Sequence, residues 1–253
     1  MNSPTTRSVL GVEQSRVDVV VLPMAVHLPF VMEAIAHTVS PSSHWELEAG
    51  AQDFCPGAGS FTGGISYGAL RCLGAKYFLV GHSERRAFFG DSDERIAANV
   101  KAVLDGIIPG FFGPPDTKCI LCVGETDNER DSGDHIAVVT AQLEKALGGE
   151  KLGKRHDRLI IAYEPLWAIG TGRTATPDQA DDMHRAIFDW LVQMSSEQTA
   201  RKCRVIYGGS VKPDNAFELM SMPHIDGALV GGASLDPHDF FKIVLAAAGK
   251  QIS

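Results

Sequence analysis

The run IIAYEPLWAIGTG, Ile160 to Gly172, has the form of a buried strand that stops on a single carboxylate. Ile160 to Tyr163 are apolar at consecutive positions, as in a strand covered on both faces. Glu164 follows, and Pro165 fixes its own φ while confining Glu164 to extended backbone. Beyond it Leu166, Trp167 and Ile169 give way to Gly170 and Gly172, a composition suited to a lid that closes over a ligand and expels water. A carboxylate in a dry pocket has its pKa raised and becomes a stronger base. A solvated strand-end glutamate is the ordinary alternative, and this stretch alone leaves both readings open.

Working outward, six more short apolar runs read as strands: Asp18–Pro23, Glu46–Gln52, Lys76–Gly81, Cys119–Glu125, Arg204–Gly209 and Gly227–Gly232. Capped amphipathic segments separate them. Thr176 and Gln179 form a capping-box pattern with Pro177 at the first helical position, followed by the apolar stripe Met183, Ile187, Leu191 and Met194. Ile96, Val100, Val103 and Leu104 make a second stripe, and Gly249 suits the end of a last helix. Strand, loop and helix recur about seven times, which indicates a parallel sheet with right-handed crossovers. A closed barrel and an open doubly wound sheet both fit this alternation. No linker divides the chain, so residues 1–253 read as a single domain. The segment Pro109–Asp116 is expected to be a surface excursion.

Composition excludes several classes. The chain has 253 residues, 44% hydrophobic and 21% charged, and a net charge of -8 without a basic block, which argues against a nucleic-acid or membrane surface. No run of about 18 apolar residues appears, and the opening MNSPTTRS lacks the features of a secretory signal. Five cysteines, an odd count, read as reduced thiols, and the expected address is the cytoplasm. Cys119 and Cys122 fall three apart on one strand and so face opposite sides, which opposes joint metal ligation. No metal and no cofactor are expected.

Chemistry gathers at strand ends. His82 follows a strand with Ser83, Glu84, Arg85 and Arg86 behind it. A lone histidine is usually structural, but one placed there can donate to a substrate oxygen or transfer a proton. The turns YGGSVKPDNA (Tyr207–Ala216) and LVGGASLDP (Leu229–Pro237) each put paired glycines before a helix, where backbone N–H groups can approach an anion. One shared phosphate explains two such turns better than chance does, and the loops after the last two strands of a barrel are its usual place.

VGHSERR (Val80–Arg86), AYEPLWAIGTG (Ala162–Gly172), YGGSVKPDNA and DGALVGGASL (Asp226–Leu235) resemble segments of the triosephosphate isomerase family. GAQD (Gly50–Asp53), SFTGGIS (Ser60–Ser66) and CVGET (Cys122–Thr126) do so too, in the same order. The resemblance implies a (β/α)8 barrel of the α/β class, usually dimeric, that interconverts dihydroxyacetone phosphate and glyceraldehyde 3-phosphate without cofactor or metal. It implies Glu164 as the base and His82, a neutral imidazole, as the group that polarises the carbonyl; this pairing is itself a standard example of pKa tuning. Glu84 and Cys122 match supporting residues. Gly170, Ser210, Gly231 and Gly232 match phosphate contacts, and Thr62 matches the tip of a loop that enters a partner subunit. Gly64 stands where the family usually has a glutamate that pairs with the partner's arginine, matched here by Arg85. Met1 and Asn2 match residues just after the family's N-terminal lysine. The resemblance therefore implies that the first barrel strand and that lysine are missing, with a catalytically silent phosphate-ligand or scaffold protein, or a tetrose-phosphate isomerase, as alternatives.

Overall fold

The computed structural model describes residues 17–38, 46–57, 61–106, 116–148, 157–169 and 173–249. The apolar runs become six strands, β1 (Asp18–Val21), β2 (Glu46–Ala51), β3 (Tyr77–Val80), β4 (Lys118–Val123), β5 (Leu159–Tyr163) and β6 (Arg204–Tyr207). All are parallel, and their spatial order is their chain order. A doubly wound sheet reverses its order at a switch point; this one never reverses. Its two ends instead approach each other. The Arg204 guanidinium on β6 lies 2.8 Å from the Asp18 carboxylate on β1. Val20 and Leu22 pack into the same apolar cluster as Ile206 and Leu229. The sheet is a curled parallel barrel wall, as the alternation together with the resemblance predicts.

Alternation along the strands divides the core in two. Tyr77, Leu79, Ile120, Cys122, Ile160 and Ala162 face inward and form one cluster. Phe78, Val80, Leu121, Ile161, Tyr163 and Val205 face outward and form the larger cluster with the helices. Cys119 and Cys122 fall into different clusters, so their side chains point to opposite faces. The outer layer comprises α1 (Leu28–Thr38), α2 (Tyr67–Cys72), α3 (Ser83–Phe89), α4 (Asp93–Asp105), α5 (Asp127–Asp131), α6 (His135–Leu147), α7 (Pro177–Met194), α8 (Glu197–Ala200), α9 (Ala216–Met220) and α10 (Pro237–Ala247). Ile96, Val100, Val103 and Leu104 of α4 are all buried, as are Met183, Ile187 and Leu191 of α7; Met194 is half-buried. No helix among the described residues is long and apolar enough to cross a membrane.

The run Gly227–Gly232 departs from expectation in degree. It pairs with β6 only through a bridge at Ala228, made by Tyr207 N–H to Gly227 O at 3.0 Å and Leu229 N–H to Tyr207 O at 2.8 Å. The physical reason is one-sided support. Among the described residues no strand lies between this segment and β1, and the space opens into a cavity of about 1700 Å³ lined by both edges. Apart from Asp116, the Pro109–Asp116 segment lies outside the described residues.

Helix α7 starts where the lid-like stretch ends. Thr176 Oγ1 accepts the Gln179 N–H at 3.2 Å, and Gln179 Oε1 accepts the Thr176 N–H at 3.0 Å, completing the capping box. Thr176→Ala removes one half of that exchange and is expected to cost about 1 kcal/mol. Thr176→Ser is expected to retain it, with urea unfolding as the measurement.

Candidate active site

Inward alternation on β5 runs Ile160, Ala162 and then Glu164, so the strand carries a carboxylate out of the barrel on its inner face. Gly124, at the matching end of β4, permits this, because a Cβ there would overlap the Glu164 carbonyl oxygen. Glu164 is 2% exposed. Its Oε2 accepts the Ser83 N–H at 3.0 Å, while Oε1 lies 3.4 Å from Ser83 Oγ and 3.0 Å from His82 Nε2. Burial raises the Glu164 pKa above the usual carboxylate range. The His82 ring, Ser83 N–H, Ser83 Oγ and the Cys122 thiol pull it back in part. Burial and then the Glu164 charge push the Cys122 thiol far up, so it stays protonated and donates to the carboxylate.

His82 is the cap of α3, and its Nδ1 accepts the Glu84 N–H at 3.3 Å. An N–H can only donate, so Nδ1 carries no proton and the ring hydrogen sits on Nε2, facing Glu164. This is a neutral imidazole presenting a donor to the cavity.

The same cavity is lined by His82, Glu84, Glu164, Ser210, Gly231 and Gly232. Ser210 sits in a turn bracketed by Asn215, whose Nδ2 donates to Ser210 O at 2.9 Å and whose Oδ1 accepts the Lys212 N–H at 2.8 Å. Gly231 and Gly232 open a short 3-10 turn, Gly232–Leu235, where no neighbour among the described residues approaches either α-carbon's side-chain position. Cys122 lies beneath the site, packed in the barrel core. Gly170 lies outside the described residues. Thr62 is exposed and apart from the cavity lining, whereas Gly63 and Gly64 belong to that lining. Glu84 is exposed and pairs with no cation among the described residues. Arg85 is satisfied within its own chain, 3.0 Å from Asp53 and 2.8 Å from Asp91. Gly64 has a local cause, since a Cβ there would collide with Cys55 Sγ.

Three contributors escaped the sequence. Ser83 is one of several polar residues behind His82 in the sequence, yet its N–H and Oγ hold the base. Asn215 fixes the Ser210 turn. Glu125, fully buried, accepts from Tyr163 Oη at 2.9 Å, Trp167 Nε1 at 2.8 Å and Arg130 Nη1 at 3.0 Å, all on Oε1. Arg130 and Arg173 stack on Trp167 at 4.8 and 5.4 Å. A carboxylate directly after a strand, followed by Thr126 as helix cap, was the available signal for Glu125.

Comparison with known proteins agrees with this geometry. The sequence model of the triosephosphate isomerase family matches residues 5–247. The triosephosphate isomerase of Roseiflexus castenholzii is 51% identical over 202 residues, covering 78% of this chain and 74% of that protein. That of Moorella thermoacetica is 44% identical over 232 residues, covering 91% and 86%. That of Chloroflexus aurantiacus is 45% identical over 219 residues, covering 85% and 82%. A match across nearly the whole chain, on a curled parallel barrel with its charged groups at the strand ends, is decisive: the chain belongs to the triosephosphate isomerase family.

Proposed function

We propose that this chain interconverts dihydroxyacetone phosphate and D-glyceraldehyde 3-phosphate by proton transfer. The observation that carries the reading is the buried Glu164 carboxylate meeting a neutral His82 Nε2–H at the wall of a cavity that Ser210, Gly231 and Gly232 also line. A substrate carbonyl entering between them takes over the His82 N–H. Glu164, released from that contact, removes a proton from the carbon beside the carbonyl. The electron pair left behind forms the enediolate, its oxygen charge stabilised by Nε2–H. His82 Nε2 passes its hydrogen to that oxygen and takes the hydroxyl hydrogen of the neighbouring carbon in return; Glu164 delivers its proton to the carbon that bore the carbonyl, and the aldehyde results. Burial, which raises the pKa of Glu164, strengthens it as a base. Ser210, Gly231, Gly232 and Gly170 hold the phosphate, while Glu84 and Cys122 support the site. No cofactor enters this scheme.

Residues 1–253 act as one domain, with a core that runs from Leu28 to Ala246. The chain pairs with a second copy through the Thr62 loop, where Phe61, Ile65 and Phe89 expose apolar surface. The odd cysteine count supports a cytoplasmic setting. Sedimentation at micromolar concentration is expected to give a dimer; a monomer alone refutes that part.

A second reading, a silent phosphate-ligand or scaffold protein, draws on Glu84, which faces the cavity and meets no cation among the described residues. Losing an electrostatic group at a developing charge costs about 10²–10³ in rate. Turnover of this chain beside a version extended by a strand ending in lysine separates the two. A gain of about 10³-fold assigns a cation at that strand to the site, and equal turnover removes that argument. Rates on triose and tetrose phosphates decide substrate length.

Glu164→Asp withdraws the base by one methylene and is expected to lower turnover at least ~10²-fold. Near-normal turnover removes Glu164 from the role. Glu164→Gln tests the electrostatics separately. Because the folded pKa is raised, ionising Glu164 costs stability. That cost is absent below the unfolded-state pKa, grows as pH rises through the folded one, and is complete above it. The Gln variant is therefore expected to be inactive yet to melt above the parent at neutral pH, the difference closing as pH falls.

A further inference from the structure

Behind the cavity, on the helix side of the Gly227–Gly232 segment, lies a cluster that the proposed mechanism does not use. Asp181 and His184 stand one turn apart on the same face of α7 and both grip His224. Asp181 Oδ1 accepts the His224 N–H at 2.9 Å, and Asp181 Oδ2 lies 2.9 Å from His224 Nδ1. His184 Nδ1 is 3.2 Å from the His224 carbonyl. A carbonyl only accepts, so the His184 hydrogen is on Nδ1. His184 is fully buried, with its ring 5.9 Å from Tyr163 and 6.3 Å from Tyr207, the residues that precede Glu164 and the Gly208–Ser210 turn. The backbone N–H, the backbone carbonyl and Nδ1 of His224 are thus all held by two side chains of one helix.

Elsewhere along this segment the backbone is held at separate points, and Gly231 O accepts the Ser234 N–H at 2.9 Å and Ser234 Oγ at 2.7 Å. After His224 the chain gains Asp226 N–H to Val205 O at 2.9 Å, Val205 N–H to Asp226 Oδ2 at 2.7 Å, and the bridge at Ala228. On its other edge no strand supports it among the described residues. A segment held along one edge needs a second anchorage to keep backbone N–H groups aimed at an anion, and α7 supplies it.

We infer that Asp181 and His184 are positioning residues for the substrate's phosphate, acting through His224 to fix where the Gly231–Gly232 backbone lies. The inference rests on the phosphate reading given above.

Calorimetric titration with inorganic phosphate tests it without depending on turnover. Asp181→Ala is expected to weaken phosphate binding about 10-fold and to raise KM for the triose phosphate alike, with kcat within about 3-fold. Asp181→Asn, which keeps an acceptor for the His224 N–H, is expected to stay within about 3-fold of the parent in binding. Hydrogen exchange in Asp181→Ala is expected to quicken at 225–232 and to be unchanged in β3. Should that variant fail to fold, His224→Phe, which keeps the backbone bonds and loses only Nδ1, is expected to weaken phosphate about 3-fold. Unchanged phosphate affinity in a folded Asp181→Ala or His224→Phe overturns the inference, whatever happens to melting temperature. A fall in kcat with phosphate affinity intact overturns it too. A parent chain that binds neither inorganic phosphate nor triose phosphate at millimolar concentration overturns the phosphate reading itself, and the inference with it.

Discussion

A carboxylate almost sealed from water sits at the end of β5, and the top of the barrel is built around the cost of holding it there. Burial opposes its charge, and the four groups that offset this come from two neighbouring strands: Ser83 N–H and Oγ and the His82 ring after β3, and the Cys122 thiol on β4. Their placement depends on register. Val80, Leu121, Val123, Tyr163 and Tyr207 pair along neighbouring strands, so the residues just beyond them emerge side by side. One glycine, Gly124, lets two of these strand ends meet at backbone distance. Shift the register by one residue and Glu164 turns into the helix layer.

That dependence explains what the sequence could disclose. Parity is local, so strands, caps and apolar stripes were legible, as were the strand-end residues His82, Glu164, Ser210, Gly231 and Gly232 that meet at one cavity. The choice between barrel and open sheet was not legible from alternation, since both repeat strand and helix alike. Strand order decides it, and order is a long-range property. The seventh run was legible as apolar but not as weakly paired, because pairing depends on a neighbour. Ser83 escaped because every residue carries an N–H, and only geometry shows which one meets a carboxylate. Asp181 and His224 stand 43 positions apart, and neither has a motif around it.

The Thr62 loop shows how a departure from a family pattern acquires a local cause. Gly64 leaves room for Cys55 Sγ, so glycine there and cysteine at 55 belong together. Arg85, deprived of a glutamate at 64, is held by Asp53 and by the buried Asp91, with Arg95 sharing both acids at 3.4 and 3.3 Å. Its charge is thus balanced before any partner arrives. Phe61, Ile65 and Phe89 leave apolar surface exposed on the same side.

Glu125 extends the same logic to the stretch after the base. Its Oε1 gathers three donors, and its backbone carbonyl takes the Leu166 N–H at 3.1 Å. Breaking a buried, charge-assisted network of this kind is costly. The stretch after the base is therefore pinned through Trp167, three residues beyond Glu164, and the chain is fixed again at the Thr176 capping box. The same Glu125 anchor orients Tyr163, the residue before Glu164, so the residues on both sides of the base share one support.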